Sequence, residues 1–265
     1  MMADQTVVAC PRDCVRKKAI AARFSKACRS YDETAHIQAT IASDVRDRMG
    51  TIQGGALLDI GCATGTLTAK LKTFASAITA VDISPKMISS AQSRHRDIQF
   101  FEGQAEALPF QNDIFHLVYS SMALQWVSSP GLAMDEIHRV LKKRGTAYLA
   151  IMVAGSFQEL ISARAAASLP DTVNSLASVL AWQNAAISSG LNIQGSAITS
   201  YVDRFSNVRQ LLRSITGVGA GLSLANASVK PLNRTKLDAL QKVYVQDDNR
   251  LFPLTYQVLH LTLEK

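Results

Sequence analysis

The stretch Leu57-Leu58-Asp59-Ile60-Gly61-Cys62-Ala63-Thr64-Gly65 decides how this chain folds. Ala56 to Ile60 is a short apolar run of strand length. The glycines after it mark a tight turn into a helical pattern with Leu67, Leu71, Phe74 and Ala75 as its apolar stripe. A second run, Ala77 to Val81, follows, and Ser84-Pro85 opens the next helix with an N-cap hydroxyl and a first-turn proline. Ile98 to Phe101, Phe115 to Ser120 and Ala147 to Val153 read as further strands, with a helix face of Ala133, Ile137, Val140 and Leu141 between the last two. Strands that alternate with helices pair in parallel through right-handed crossovers, so the fold class is α/β with a doubly wound sheet covered on both sides.

Outward from this centre, Ile20, Phe24 and Ala27 form the apolar face of an amphipathic helix from Val15 to Arg29, with Lys18, Lys26 and Arg29 opposite. A second helix is expected from Tyr31 to Met49, and Gly50 with Gly54-Gly55 breaks it. Residues 1–50 are thus expected to form an N-terminal helical extension, and 51–265 the main domain. The stretch from about 156 to 251 is expected to be a helical lid. It holds helical patterns at Ser156 to Ala167, Thr172 to Ser188, Val208 to Ile215 and Thr235 to Val245, with one strand pattern at Ala197 to Val202. A β-rich run, Leu254 to Leu263, supplies an antiparallel C-terminal strand.

With 265 residues, 48% hydrophobic and 18% charged, the composition is that of a globular chain. The longest apolar run, Ala147 to Ala154, has eight residues, short of the roughly 20 that a bilayer-spanning helix needs, so a soluble protein without a membrane partner is expected. The apolar patch Thr6 to Cys10 is too short for a secretory signal, which points to the cytoplasm. Net charge is +7, and residues 1–30 hold seven Lys or Arg against two acids. Such an end attracts an acidic partner, or is simply a solvated helix face. Cys10, Cys14, Cys28 and Cys62 and the five histidines show no metal spacing, so free thiols and no metal are expected.

Ligands of open α/β sheets bind beyond the carboxyl ends of the strands. A dinucleotide fingerprint would need glycines at 61, 63 and 66, where this chain has Gly61, Ala63 and Thr66, and no Gly-x4-Gly-Lys-Ser/Thr loop is present to hold a triphosphate. What remains is a tight turn that lets backbone approach a ligand, Asp59 before it, and Asp82 ending the second strand, where a carboxylate can accept both hydroxyls of a ribose. This combination resembles the class I S-adenosylmethionine-dependent methyltransferases, a Rossmann-like fold. Phe101-Glu102-Gly103-Gln104-Ala105-Glu106-Ala107-Leu108-Pro109-Phe110 is similar to the family's adenine-contacting loop, with Gln104 where an acid is usual. Phe115-His116-Leu117-Val118 resembles its fourth strand, with His116 in place of Asp, and Glu136-x2-Arg139-Val140-Leu141-Lys142 its next helix. The resemblance implies S-adenosyl-L-methionine as cofactor, bound by Asp59, Gly61, Cys62, Ala63, Gly65, Asp82, Ile83, Met87, Gln104, Ala105 and Ser120.

A narrower likeness covers about residues 16 to 265. Ala19-Ile20-Ala21-Ala22-x-Phe24, Tyr31-Asp32, Gln38, Ser120-Ser121-Met122-Ala123-Leu124-Gln125-Trp126, Gly155-Ser156-Phe157-x-Glu159-Leu160, Leu212-Arg213-Ser214-Ile215-x-Gly217-Val218-Gly219-Ala220 and Phe252-Pro253-Leu254-Thr255-Tyr256 stand in the order of one group. They resemble the malonyl-[acyl-carrier protein] O-methyltransferases of biotin synthesis. The resemblance implies methyl transfer to the free carboxylate of a malonyl thioester on acyl-carrier protein or coenzyme A. A carboxylate is already a nucleophile, so alignment and exclusion of water suffice, and the chain has no Gly-x-Ser-x-Gly or His-Glu-x2-His motif. Tyr31 is a candidate for closing over the cofactor and placing the reacting groups, or for simple packing at a helix end. Arg213 is a candidate for pairing the malonyl carboxylate, or a phosphate or carrier contact. Gly217 to Gly221 reads as a lid loop, and Gln125-Trp126 as either pocket mouth or core. Ala63, Gln104 and His116 also fit a non-catalytic assembly protein on the same fold, and another small-molecule acceptor stays open. No base-methylation motif or aromatic-rich basic patch points to nucleic acid.

Overall fold

The computed structural model describes residues 11–50, 54–171, 174–220 and 232–265. Seven strands form one sheet: β1 (Ala56–Ile60), β2 (Ala77–Asp82), β3 (Gln99–Glu102), β4 (Phe115–Ser121), β5 (Leu141–Met152), β6 (Asn192–Phe205) and β7 (Phe252–Glu264). Their order is β3-β2-β1-β4-β5-β7-β6. β1 to β5 pair in parallel, and β7 runs antiparallel between β5 and β6. The nine helices of the described residues are α1 (Pro11–Ala27), α2 (Tyr31–Thr34), α3 (His36–Met49), α4 (Pro85–Arg94), α5 (Pro130–Val140), α6 (Gln158–Ala166), α7 (Val179–Ser188), α8 (Val208–Gly217) and α9 (Arg234–Val243).

Both faces of the sheet are covered, and the alternation of side chains along each strand divides the core accordingly. Leu57 and Leu117 belong to one buried cluster, whereas their chain neighbours Leu58 and Val118 belong to the other. This explains why the central strands appear in the sequence as unbroken apolar runs. Ser84 caps α4 as its sequence implies, accepting from the Met87 amide at 3.3 Å with Pro85 in the first turn.

The structure corrects several boundaries. The expected helix from Tyr31 to Met49 is two helices, divided at Ala35, whose φ of −85° and ψ of 39° leave the helical region. The apolar stripe Leu67 to Ala75 folds as a 3-10 turn, Thr68–Thr73. α7 begins only at Val179, and residues 172–173 of the expected helix lie outside the described residues. The stretch 156–251 is not purely helical either. β6, fourteen residues long, lies inside it and pairs with β7 from Asn192 to Phe205.

His116 lies at the amino end of β4, away from the strands' carboxyl ends. Its Nδ1 accepts from the Ala56 amide at 3.0 Å, and its Nε2 lies 3.3 Å from Lys142 Nζ. The departure from the family's Asp is therefore a strand-edge contact. His116→Leu is expected to lower stability by about 1 kcal/mol, because the Ala56 N–H loses its acceptor. Urea unfolding with an unchanged slope and a lower midpoint checks this.

Candidate active site

The first turn is built by backbone constraint. Gly61 adopts φ +84°, and a Cβ there would stand 2.1 Å from Ala123 Cβ, so no larger residue fits without moving the loop after β4. The Gly61 and Cys62 amides both donate to Val81 O, at 2.7 and 3.1 Å, which fixes the turn against the end of β2. Ala63 sits in the left-handed region at φ 48°, an uncommon place for a residue with a Cβ. Its amide donates to Asp82 Oδ2 at 2.9 Å, while Asp82 Oδ1 accepts from the Ser84 amide at 2.8 Å. Asp59 is buried and accepts from Thr68 Oγ1 at 2.6 Å.

These two carboxyls carry the unusual electrostatics of the molecule. Burial pushes Asp59 up to about 7 and Asp82 up to about 6, against the hydrogen bonds that hold each of them down. Among the described residues, no cationic side chain bonds either one. Burial also raises the Cys62 thiol well above its ordinary value.

A cavity of about 190 Å³ opens beside the turn, walled by Asp59, Gly61, Ala63, Tyr119, Ser121 and, from α2, Tyr31. A second, mostly apolar cavity includes Phe24, Met122, Met152, Phe157 and Tyr256 in its wall, and Tyr31 and Gln38 border both. The Tyr31 hydroxyl is held protonated far above its ordinary range, by burial and by the carboxylates of Asp82, Asp32 and Asp59. It is a hydrogen-bond donor at neutral pH.

The N-terminal helices roof this region. Lys17 of α1 pairs with Glu106 at 3.0 Å, Ser25 Oγ lies 2.8 Å from Ser84 Oγ, and Phe24 meets Trp126 edge-on with ring centroids 5.5 Å apart. From α2, Asp32 accepts from Thr64 Oγ1 at 2.6 Å and Thr66 Oγ1 at 3.2 Å, and pairs with Arg94 at 2.5 Å. The glycines at and just after the end of α8 admit this roof: a Cβ at Gly219 would stand 2.9 Å from Phe24, and one at Gly217 would stand 3.0 Å from Thr34. Gly221, the last of that glycine run, lies outside the described residues.

Asp59, Gly61, Cys62, Ala63, Gly65 and Asp82 are thus gathered at one turn, with Tyr31 against it. Ile83 follows Asp82 and is half-buried. Met87, on the first turn of α4, is fully buried, and Ser120 is buried with its hydroxyl donating to Ile60 O at 2.8 Å, so Ser121 rather than Ser120 faces the cavity. Gln104 and Ala105 lie on a short loop where Gln104 bridges Ala107. Arg139 and Glu136 clamp that loop: Arg139 donates to Phe110 O at 2.6 Å and Leu108 O at 3.1 Å, and Glu136 accepts from the Leu108 amide. Arg213 is not gathered with the others. It is exposed on α8, while Leu211 and Ile215 face inward and Ile215 lines the apolar cavity. Asp32 and Gln38 stand in the N-terminal motif but were not expected at the site; their place after Tyr31 is the signal that marks them.

Residues 58–149 match the methyltransferase domain family model. A solved structure described as a putative methyltransferase from Bacillus halodurans superposes with a TM-score of 0.64, covering 85% of this chain and 99% of that one at 16% identity, so the fold is that of this enzyme class. A malonyl-[acyl-carrier protein] O-methyltransferase of Erwinia pyrifoliae is 32% identical over 261 residues, 97% of this chain and 98% of that protein. The biotin biosynthesis bifunctional protein BioHC of Cellvibrio japonicus is 28% identical over 254 residues, 95% of this chain and 51% of that protein. The chain belongs to the malonyl-[acyl-carrier protein] O-methyltransferase family and is a methyltransferase enzyme, as its motifs imply. Among the described residues no helix is long and apolar enough to cross a membrane.

A raised carboxyl pKa sets the sign of a stability effect. Native Asp59 keeps its proton up to about pH 7, whereas the unfolded chain releases it near 4, so this site costs stability as pH rises between the two values. Asp59→Asn keeps an acceptor for Thr68 and cannot ionise. In the absence of ligand, the melting temperature of the variant relative to wild type is expected to climb from pH 4 to pH 7 and then level off, at roughly 5 °C above wild type. Melts across that range check it.

Proposed function

We propose that this chain transfers a methyl group from S-adenosyl-L-methionine to the free carboxylate of a malonyl thioester, borne by acyl-carrier protein or coenzyme A, as an early step of biotin synthesis. The observation that carries this reading is the placement of Tyr31 and Gln38 in the walls of both cavities, one polar with an anionic floor and one apolar. The relatives named for malonyl-[acyl-carrier protein] methylation support the acceptor.

The residues present fit a cationic nucleoside. The buried Asp59 and half-buried Asp82, which no cationic side chain bonds among the described residues, are costly on their own and become favourable beside a positive ligand. Asp59, Gly61, Cys62, Ala63 and Gly65 would hold its amino-acid end, Asp82 with Ile83 its sugar, and Gln104 and Ala105 its base; Met87 and Ser120 would support these from within the core. Bound there, the nucleoside supplies an electrophilic methyl on a sulfonium, and passing it to a carboxylate removes one positive and one negative charge.

An apolar surround favours such a loss of charge, since it holds no water dipoles that must reorganise as the charges vanish. Phe24, Met122, Met152, Phe157 and Tyr256 provide it. No general base is required, because the acceptor arrives ionised. Tyr31 donates its hydroxyl proton in a hydrogen bond to one carboxylate oxygen and leaves the other free. The exposed Arg213 is assigned to the carrier side of the substrate, as a phosphate or acidic-surface contact. In this reading the helices of residues 1–50, α1 to α3, roof the active site, and the helices of 156–251 close its far side.

Incubation with labelled S-adenosylmethionine and malonyl-acyl-carrier protein or malonyl-coenzyme A should yield a methyl ester by mass; no ester from either thioester overturns the reading. Tyr31→Phe should lower kcat by roughly tenfold, about 1.4 kcal/mol, while changing cofactor affinity by less than about twofold. Cofactor affinity should rise from pH 5.5 to 8 as Asp59 and Asp82 lose their protons, and Asp59→Asn should flatten the upper part of that rise when titrated by calorimetry.

A further inference from the structure

Gln125 borders three cavities at once. One is the apolar cavity shared with Tyr31; the second is a small neighbour reaching Leu176; the third is an outer recess of about 430 Å³ that Arg16 and Ser128 line. Trp126, Met152, Phe157 and Ala220 are common to the first two, of about 30 and 20 Å³, and Gln125 is the residue that the outer recess shares with both. The Gln125 amide is oriented by its own turn: Nε2 donates to Met122 O at 2.7 Å. Its Oε1 is therefore the free end, and it is buried without any hydrogen-bond partner. A buried acceptor left unpaired costs on the order of 1–3 kcal/mol, and it stands where an elongated ligand would pass.

We infer that these cavities take the pantetheine arm of the substrate, and that Gln125 Oε1 accepts a hydrogen bond from the arm's amide N–H nearest the sulfur. The inference rests on the methyl-transfer reading above. An arm entering by the outer recess has its phosphate end beside Arg16, whose guanidinium donates to Ser128 Oγ at 2.9 Å, while the Asp13 carboxylate of the same recess is paired with Lys17 at 2.9 Å. Its methylenes and thioester then lie against Trp126, Met152 and Phe157. With the malonyl carboxylate at Tyr31, the first amide of the arm falls a few bonds back along the passage, at Gln125. Gln125 is thus a specificity residue, reading the carrier's arm and not the group being methylated.

Three probes test this: malonyl-pantetheine, the same compound with the amide N–H nearest sulfur replaced by an ester oxygen, and malonyl S-ethyl thioester. The wild-type chain should use the amide probe about tenfold better than the ester probe in kcat/KM, mostly through KM. Gln125→Leu should abolish that ratio, while its binding of S-adenosylmethionine reports that it is folded. Equal use of amide and ester probes by wild type, or a wild-type ratio retained in Gln125→Leu, overturns the inference. The wild-type comparison needs no variant and stands even if Gln125→Leu fails to fold. Methylation of the S-ethyl thioester separates this failure from failure of the reading beneath it: if no malonyl thioester is methylated, both fall.

Discussion

Two carboxyl groups, the buried Asp59 and the half-buried Asp82, stand at the carboxyl ends of adjacent parallel strands, and among the described residues no positive side chain bonds either one. Everything at this end of the sheet follows from holding them there. The Ala63 and Ser84 amides occupy Asp82, the Thr68 hydroxyl occupies Asp59, and Gly61 lets the chain turn tightly enough for these donors to converge. Backbone donors can tether a carboxylate without neutralising it, so the site keeps its demand for a cation. A lysine or arginine in their place would have stabilised the empty protein and removed the driving force for binding.

The roof is anchored on both sides of this anionic floor. Along α1, Lys17 reaches Glu106 and Phe24 packs on Trp126; through α2, Asp32 reaches back to the two threonines of the turn. The short α2 brings Tyr31 down between the polar and apolar cavities. The same helices that cover this end of the sheet therefore also place Tyr31 in the walls of both cavities, and the glycines at 217 and 219 set how closely they approach α8.

How much of this was legible in the sequence depends on the kind of burial. The central strands were readable because both faces are covered, which leaves continuous apolar runs. β6 is an edge strand with mostly exposed residues, so only its fragment Ala197 to Val202 carries a strand-like pattern in the sequence. The turn and its acids were readable from spacing, since the motif is local. Ser120 was placed one residue off, and in a strand one residue means the opposite face. Arg213 could have been set apart from the sequence alone: it lies two positions from Leu211 and two from Ile215, hence on the far side of a helix whose inner face those residues define. His116 likewise sits at the start of its strand, the end where ligands do not bind. The meeting of Gln38 with Tyr31 across two cavities, and of Gln125 with three, is a product of tertiary packing that no local pattern encodes.

Asp32 ties α2 to the turn through the buried Thr64 and through Thr66, whereas its ion pair with Arg94 of α4 stands at the surface, where the two side chains retain 34% and 44% of their exposure. Ion pairs of that kind contribute about 0–1 kcal/mol each and weaken with salt. Of the bonds that Asp32 makes, the one to Arg94 is therefore the one that added salt loosens, while the one to the buried Thr64 is shielded from it.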